Sequence, residues 1–159
     1  MKTVEIVGDN YKGEYHITRI ACRAIIVKDG KMLVSYETKS NKMMTPGGGV
    51  EGKETNEECC IRELAEETGF VVKPVDYVLE IIEYYRQARF VHRYFICEIV
   101  GDTERKLTKG EEAAGMEPRW LPIQDVLDTF ATYEQHSKMW RGLYYREYTA
   151  LQNIFANKI

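Results

Sequence analysis

The sequence predicts an α/β (α+β) fold: pairs of strands interrupted by one helix and closed by a second. Three observations carry that expectation. With 159 residues, 44% hydrophobic and 30% charged, the chain has the size of one domain that buries roughly 70% of its unfolded surface. Stretches rich in β-branched and aromatic residues alternate with two stretches of helical period. No repeat, low-complexity tract or linker divides them, so residues 1–159 are expected to form one domain.

The elements follow in chain order. Residues 1–16 read as a short N-terminal strand or extension, and Ile17 to Val27 as the first long strand. Asp29-Gly30 is a two-residue turn signal that returns the chain as a strand over Met32 to Tyr36. Lys39 to Asn41 is polar loop, and Pro46-Gly47-Gly48-Gly49 is expected outside any regular element. Thr55 to Thr68 is helical, with Thr55 and Glu58 as a capping box and Gly69 placed to close the last turn. Val75 to Tyr85 and Arg89 to Val100 read as strands joined tightly near Gln87-Ala88. Gly101 to Gly115 is expected as polar loop, Trp120-Leu121 as a short strand and Ile123 to Phe130 as a short helix. An amphipathic helix over about residues 133–157 ends the chain, its stripe including Trp140, Leu143, Tyr144, Glu147, Leu151 and Phe155.

Composition excludes several classes. The hydrophobic content is too high for intrinsic disorder, and no apolar run approaches the ~20 residues of a membrane-spanning helix. The first ten residues carry scattered charges and no hydrophobic region of a secretory signal. Cys22, Cys59, Cys60 and Cys97 form no CxxC pair. Reduced, mostly buried thiols in a cytoplasmic protein are therefore expected. A net charge of −3 disfavours a dedicated nucleic-acid binder.

The charge is unevenly spread. Between Gly48 and Phe70, seven glutamates stand against Lys53 and Arg62, a local charge of −5 that leaves +2 on the other 136 residues. Glu63, Glu66 and Glu67 fall at i, i+3 and i+4, so three carboxylates share one helix face. Ile61, Leu64, Ala65 and Thr68 lie opposite, ready to bury against a sheet. Like charges at this spacing repel one another, and Arg62 is expected to flank Glu66 alone. A divalent cation is the economical counter-ion. Hard oxygens suit Mg²⁺ or Mn²⁺, and no paired His and Cys favour zinc. The glycines ahead of the helix let backbone groups approach a metal or a phosphate without a side chain in the way.

These residues resemble a known family. Gly48-x5-Glu54-x7-Arg62-Glu63-Leu64-x-Glu66-Glu67-x-Gly69-Phe70 reproduces the Nudix box at every specified position, fixing nine of 23 residues. The resemblance implies an α/β/α sandwich around a mixed sheet. It also implies a hydrolase that cleaves, with Mg²⁺, the pyrophosphate bond of a nucleoside di- or triphosphate or a nucleoside diphosphate derivative. Carried over by position, Gly48, Glu63, Glu66 and Glu67 hold the metal, and Glu63 orients or deprotonates the attacking water. Arg62 holds the glutamates in place, and Glu54 secures the start of the helix. Some members take the base from a later loop. Here that loop holds Glu111-Glu112, with Glu112 the candidate and a merely solvated pair the alternative.

Substrate contacts are read from weaker signals. Met43 and Met44 precede the glycine turn, where Met44 would line a base pocket or the pair would simply be core. Arg19 and Arg23 share a strand face from which Arg23 would meet phosphates. Tyr85 stands fifteen places past the box, near but not at the positions that mark the family's substrate classes. His92 is expected as a structural histidine rather than a substrate contact, and the aromatics of the last helix suit either core or a homodimer surface. The partner expected is a small nucleotide. Alternatives are a nucleotide-sensing or protein-binding domain without turnover, and an RNA 5′-end pyrophosphohydrolase, for which the charge outside the box is thin.

Overall fold

A computed structural model describes residues 1–156. Nine strands and four helices run as β1 (Lys2–Val7), β2 (Ile17–Ile25), β3 (Val27–Lys28), β4 (Lys31–Glu37), β5 (Lys42–Met44), β6 (Gly47–Gly49), α1 (Asn56–Thr68), β7 (Phe70–Tyr85), β8 (Ala88–Asp102), α2 (Lys109–Ala114), β9 (Met116–Pro122), α3 (Ile123–Phe130) and α4 (Lys138–Phe155). The mixed sheet has the order β1-β7-β8-β2-β6. Within it, β1 lies parallel to β7 and β2 parallel to β8, whereas β7–β8 and β2–β6 are antiparallel. A second, antiparallel sheet sets β4 against β3, β5 and β9.

Local chemistry explains the turns. Asp29 and Gly30 both take positive φ, 52° and 76°, as a tight β3–β4 hairpin requires. The Thr55 hydroxyl caps α1 by accepting the Glu58 N–H, and Gly69 closes it in the left-handed conformation.

Two cores flank the large sheet. Cys59, Cys60 and Leu64 of α1 pack on Cys22, Ala24, Phe95 and Cys97 on one face. On the other, Ile25, Leu79, Ile81 and Tyr94 meet Val126 and Phe130 of α3 and Tyr144, Ala150 and Leu151 of α4. That is the α/β/α arrangement the resemblance implied. All four cysteines are free and buried, and no helix among the described residues is long and apolar enough to cross a membrane.

Four expectations are corrected. The segment read as loop between Gly101 and Gly115 contains α2, whose Thr108–Glu111 capping box and left-handed Gly115 hold one and a half turns in a polar sequence. Gly47–Gly49 is a strand, paired with Ala21–Arg23. A Cβ on Gly47 would lie 2.1 Å from the Cys22 carbonyl, so only glycine lets β6 approach this closely. The final helix starts at Lys138, after a separate 3₁₀ turn at Tyr133–Gln135, and Asn157, its expected end, lies outside the described residues. Lastly, α1 is rotated from the expected orientation. Glu67 is buried at 3% exposure while Ile61 remains exposed, because β4 covers the Glu67 side of the helix.

Candidate active site

The site is built where α1 meets the Pro46–Gly49 segment. Gly48 lies so close to Glu63 that a Cβ there would stand 2.5 Å from the Glu63 carboxyl carbon. The Cys59 thiol, one turn earlier on α1, donates to the Gly48 carbonyl at 3.4 Å. This strand and helix therefore share one wall, and glycine is the residue that permits it.

Arg62 organises the carboxylates more broadly than its helical position suggested. Its Nε and Nη2 donate to the two Glu54 oxygens at 3.0 and 2.7 Å, and Nη2 also reaches the Gly49 carbonyl at 2.9 Å. Nη1 donates to Glu63 at 3.0 Å and to Glu66 at 3.2 Å. The expectation that Arg62 flanks Glu66 alone is thus corrected: a long guanidinium reaches neighbours that a Cβ projection does not place beside it. The hydrogen bonds from Arg62 hold Glu54 down to about 2.

Desolvation governs the other two carboxylates. Burial raises Glu63 above the ordinary carboxylate value against the pull of Arg62. Burial likewise pushes Glu67 up to about 8, although Ser35 Oγ donates to it and Arg23 lies near. Glu111 adds negative charge to both, whereas Glu112 is exposed. The segment from Thr103 to Lys106 brings this about by crossing the end of α1, with Thr103 N–H donating to the Gly69 carbonyl and Lys106 N–H to that of Glu66.

The donors available are hard oxygens: the Gly48 carbonyl and the carboxylates of Glu63, Glu66 and Glu67. They fit a divalent cation of the magnesium type in chemistry and in the close approach at Gly48. Among the described residues, no three His, Cys, Asp or Glu side chains already converge on one point. Glu63 and Glu66 are turned to Arg62 and Glu67 to Ser35.

The expected substrate contacts separate. Arg23 is only 8% exposed, and its Nη1 donates to the Thr45 carbonyl at 2.7 Å, so it faces the protein interior rather than an open phosphate path. Met43 is core, and Met44 is half-buried beside it. Tyr85 lines a cavity of about 340 Å³ between the sheet and the first turns of α4, together with Glu83, Phe90, His92, Met139 and Arg146. There Glu83 accepts from His92 Nε2 at 2.8 Å and from the Tyr85 hydroxyl at 3.2 Å, and Arg146 Nη1 stands 3.5 Å away. His92 is buried and bonded to Glu83 in the wall of this cavity; burial, with Arg146 beside it, lowers it to about 4.

Register ties this cavity to the glycine strand. His92 pairs with Ala21, and Ala21 with Gly49, so two strand spacings, about 10 Å, separate the cavity floor from the turn. Glu147, Glu83 and Ser35 escaped notice in the sequence as site-forming residues. The signal for Glu147 was a carboxylate lying within the apolar stripe of the last helix.

The NUDIX domain family model matches residues 18–141. No curated protein matches the chain. Similar solved structures include a NUDIX hydrolase from Nitrosomonas europaea, 23% identical, with 83% of this chain and 88% of that one covered and a TM-score of 0.60. The E. coli ORF135 protein is 19% identical, with 89% and 96% covered and a TM-score of 0.57. A UDP-X diphosphatase is 20% identical with a TM-score of 0.56; 69% of this chain is covered but 53% of that one, so the chain spans about half its length. At these identities the likeness is one of fold.

Proposed function

The chain belongs to the Nudix family of pyrophosphohydrolases, and we propose that it hydrolyses the pyrophosphate bond of a small nucleoside di- or triphosphate, or of a nucleoside diphosphate derivative, releasing a nucleoside monophosphate in a Mg²⁺-dependent reaction. One observation carries this reading: Glu63 lies directly against the Gly48 backbone, on the same helix as Glu66 and Glu67 and tied to Glu66 through Arg62. The +2 charge outside the box and the modest cavity favour a small substrate over a long polyanion. A cytoplasmic location belongs to the same proposal.

Gly48, Glu63, Glu66 and Glu67 would hold the cation, with Mn²⁺ an acceptable substitute, and a bound Mg²⁺ supplies charge neutralisation at phosphate oxygens. The protein does the positioning on which phosphoryl transfer depends. Arg62 holds Glu63, which lies beside Gly48, and Glu66 through one guanidinium nitrogen, so the two carboxylates are oriented together. Glu63, desolvated and next to the Gly48 backbone, orients the attacking water and takes its proton. Glu111, rather than the more exposed Glu112, supplies the later-loop carboxylate. The nucleoside half lies in the Tyr85 cavity, whose aromatic and thioether walls suit a flat ring, with its phosphates directed across Ala21 to the glycine strand.

The test is a product analysis. The purified protein is incubated with Mg²⁺ and a panel of nucleoside triphosphates, nucleotide sugars and dinucleoside polyphosphates, in water labelled with ¹⁸O. Nucleoside monophosphate should appear with the label in one phosphate product. Turnover of phosphomonoesters or phosphodiesters alone, or nucleotide binding without any turnover, would overturn the proposal.

A further inference from the structure

We infer that Glu147 is a positioning residue: from α4 it fixes the backbone of Thr45 and thereby the Pro46–Gly49 segment that faces the α1 carboxylates. The inference rests on the functional reading above only for its effect on metal and turnover.

Glu147 is 0% exposed, in the middle of a helix whose other buried residues are Tyr144, Arg146, Ala150, Leu151 and Phe155. Its Oε2 accepts the Thr45 N–H at 2.5 Å, and its Oε1 accepts the Tyr94 hydroxyl at 2.6 Å. The Thr45 carbonyl in turn accepts Arg23 Nη1 at 2.7 Å. Both polar groups of one residue's backbone are therefore held by buried charged side chains, one from β2 and one from α4. Thr45 lies in the gap between β5 and β6, outside the ladder of either, so these two contacts stand where strand partners otherwise would.

Charge balance explains how a carboxylate survives there. Burial would raise Glu147, but Arg146 and Arg23, with the hydrogen bonds from Thr45 and Tyr94, keep it below the ordinary value. Buried ion pairs contribute little net stability, so their clearest consequence is geometric. The geometry at stake is narrow. The Pro46 carbonyl that follows Thr45 accepts the Ala24 N–H at 2.9 Å; Gly48 then lies where a methyl group would displace the Glu63 carboxylate. A displaced Thr45 moves the Gly48 carbonyl relative to Glu63.

The test uses Glu147→Asp, which keeps the charge opposite Arg146 and Arg23 but withdraws it by one methylene from Thr45. Amide hydrogen exchange should show Thr45 and Gly47–Gly49 losing protection while α1 keeps it. Mn²⁺ titration followed by electron paramagnetic resonance should show about a tenfold weaker site, and kcat should fall about tenfold or more while KM stays within about twofold. Glu147→Gln, which retains an oxygen for the Thr45 amide, should recover most of the Thr45 protection. Tyr94→Phe removes the other hydrogen bond to the same carboxylate, and should lower thermal stability while leaving Mn²⁺ affinity unchanged.

Unchanged Thr45 protection and Mn²⁺ affinity in Glu147→Asp would overturn the inference, as would an equal loss of Mn²⁺ affinity in Tyr94→Phe. Should Glu147→Asp fail to fold, the wild-type protein still decides. Its Thr45 amide must exchange as slowly as the sheet core, and exchange at the rate of surface amides overturns the clamp. If the wild type binds no Mn²⁺ and cleaves no pyrophosphate, the functional reading falls, and Thr45 exchange alone judges the clamp.

Discussion

Arg62 grips Glu54 through a two-pronged contact, Nε to one carboxylate oxygen at 3.0 Å and Nη2 to the other at 2.7 Å. The fork ties the segment ahead of α1 to the helix itself. Glu54 also accepts the Glu51 N–H at 2.8 Å, so the loop is held at two points. The remaining nitrogen of the same guanidinium reaches Glu63 and Glu66.

Lysine cannot reproduce that geometry, because its single ammonium has no planar fork. Arg62→Lys should therefore lower kcat about tenfold or more while the protein remains folded. The thermal midpoint should drop by roughly 2–4 °C for each kcal/mol lost in a chain of this size. Steady-state kinetics and a melting curve check both numbers. Wild-type kcat in Arg62→Lys would show that point charge alone suffices.

Much of this was legible in the sequence, and the failures have physical causes. The β3–β4 turn, α3 and the start of α1 follow from short-range signals at Asp29-Gly30, Ile123 and Thr55. The glycine strand was not legible, because its pairing depends on the missing Cβ of Gly47 against a carbonyl far away in sequence. The burial of Glu67 was hidden for a similar reason. Helical spacing puts it beside Glu63 on an outward face, but it is β4, with Ser35, that covers it. The Thr45–Glu147 contact joins residues 102 positions apart, beyond the reach of any local pattern.

Glu67→Gln and Glu66→Gln test the metal assignment. Glutamine has a helix propensity close to that of glutamate, so α1 should remain formed. Turnover should fall by at least about a hundredfold in each, and chelator should abolish it in the wild type. Restoring Mg²⁺ or Mn²⁺ should restore the wild type alone. Full activity in Glu66→Gln or in excess chelator would remove these carboxylates from the metal site.

The two later acids should not be equivalent. Glu111 lies close enough to Glu63 and Glu67 to oppose their ionisation, while its neighbour is exposed. Glu111→Gln should lower kcat or weaken Mn²⁺ binding about tenfold, and Glu112→Gln should stay within about twofold of wild type. Glu111 also closes the capping box of α2 through the Thr108 N–H at 2.9 Å, a bond that glutamine's amide oxygen still accepts. The reverse ranking of the two variants would return the role to Glu112.

His92 should make the fold more sensitive to acid, against the opposite pull of Glu67. Burial, with Arg146 nearby, lowers its folded-state value from 6.5 to about 4, so the unfolded chain takes up this proton first as pH falls. Between those limits the imidazole binds more protons in the unfolded state, so its own contribution to stability rises with pH, whereas Glu67, pushed up to about 8 by burial, contributes with the opposite sign as pH falls from there. The contribution is complete above 6.5 and is lost progressively toward 4, in total of the order of 3 kcal/mol. Glu83 and Glu147, both held below the ordinary carboxylate value, then extend the loss to lower pH with the same sign. His92→Gln can still donate to Glu83 but has nothing to titrate. Urea unfolding from pH 7 to 4 should therefore show the wild type losing more stability, or gaining less, than this variant over the same range, although the variant's stability at pH 7 is lower. An identical slope in variant and wild type would mean that His92 is protonated in the folded protein near its ordinary value.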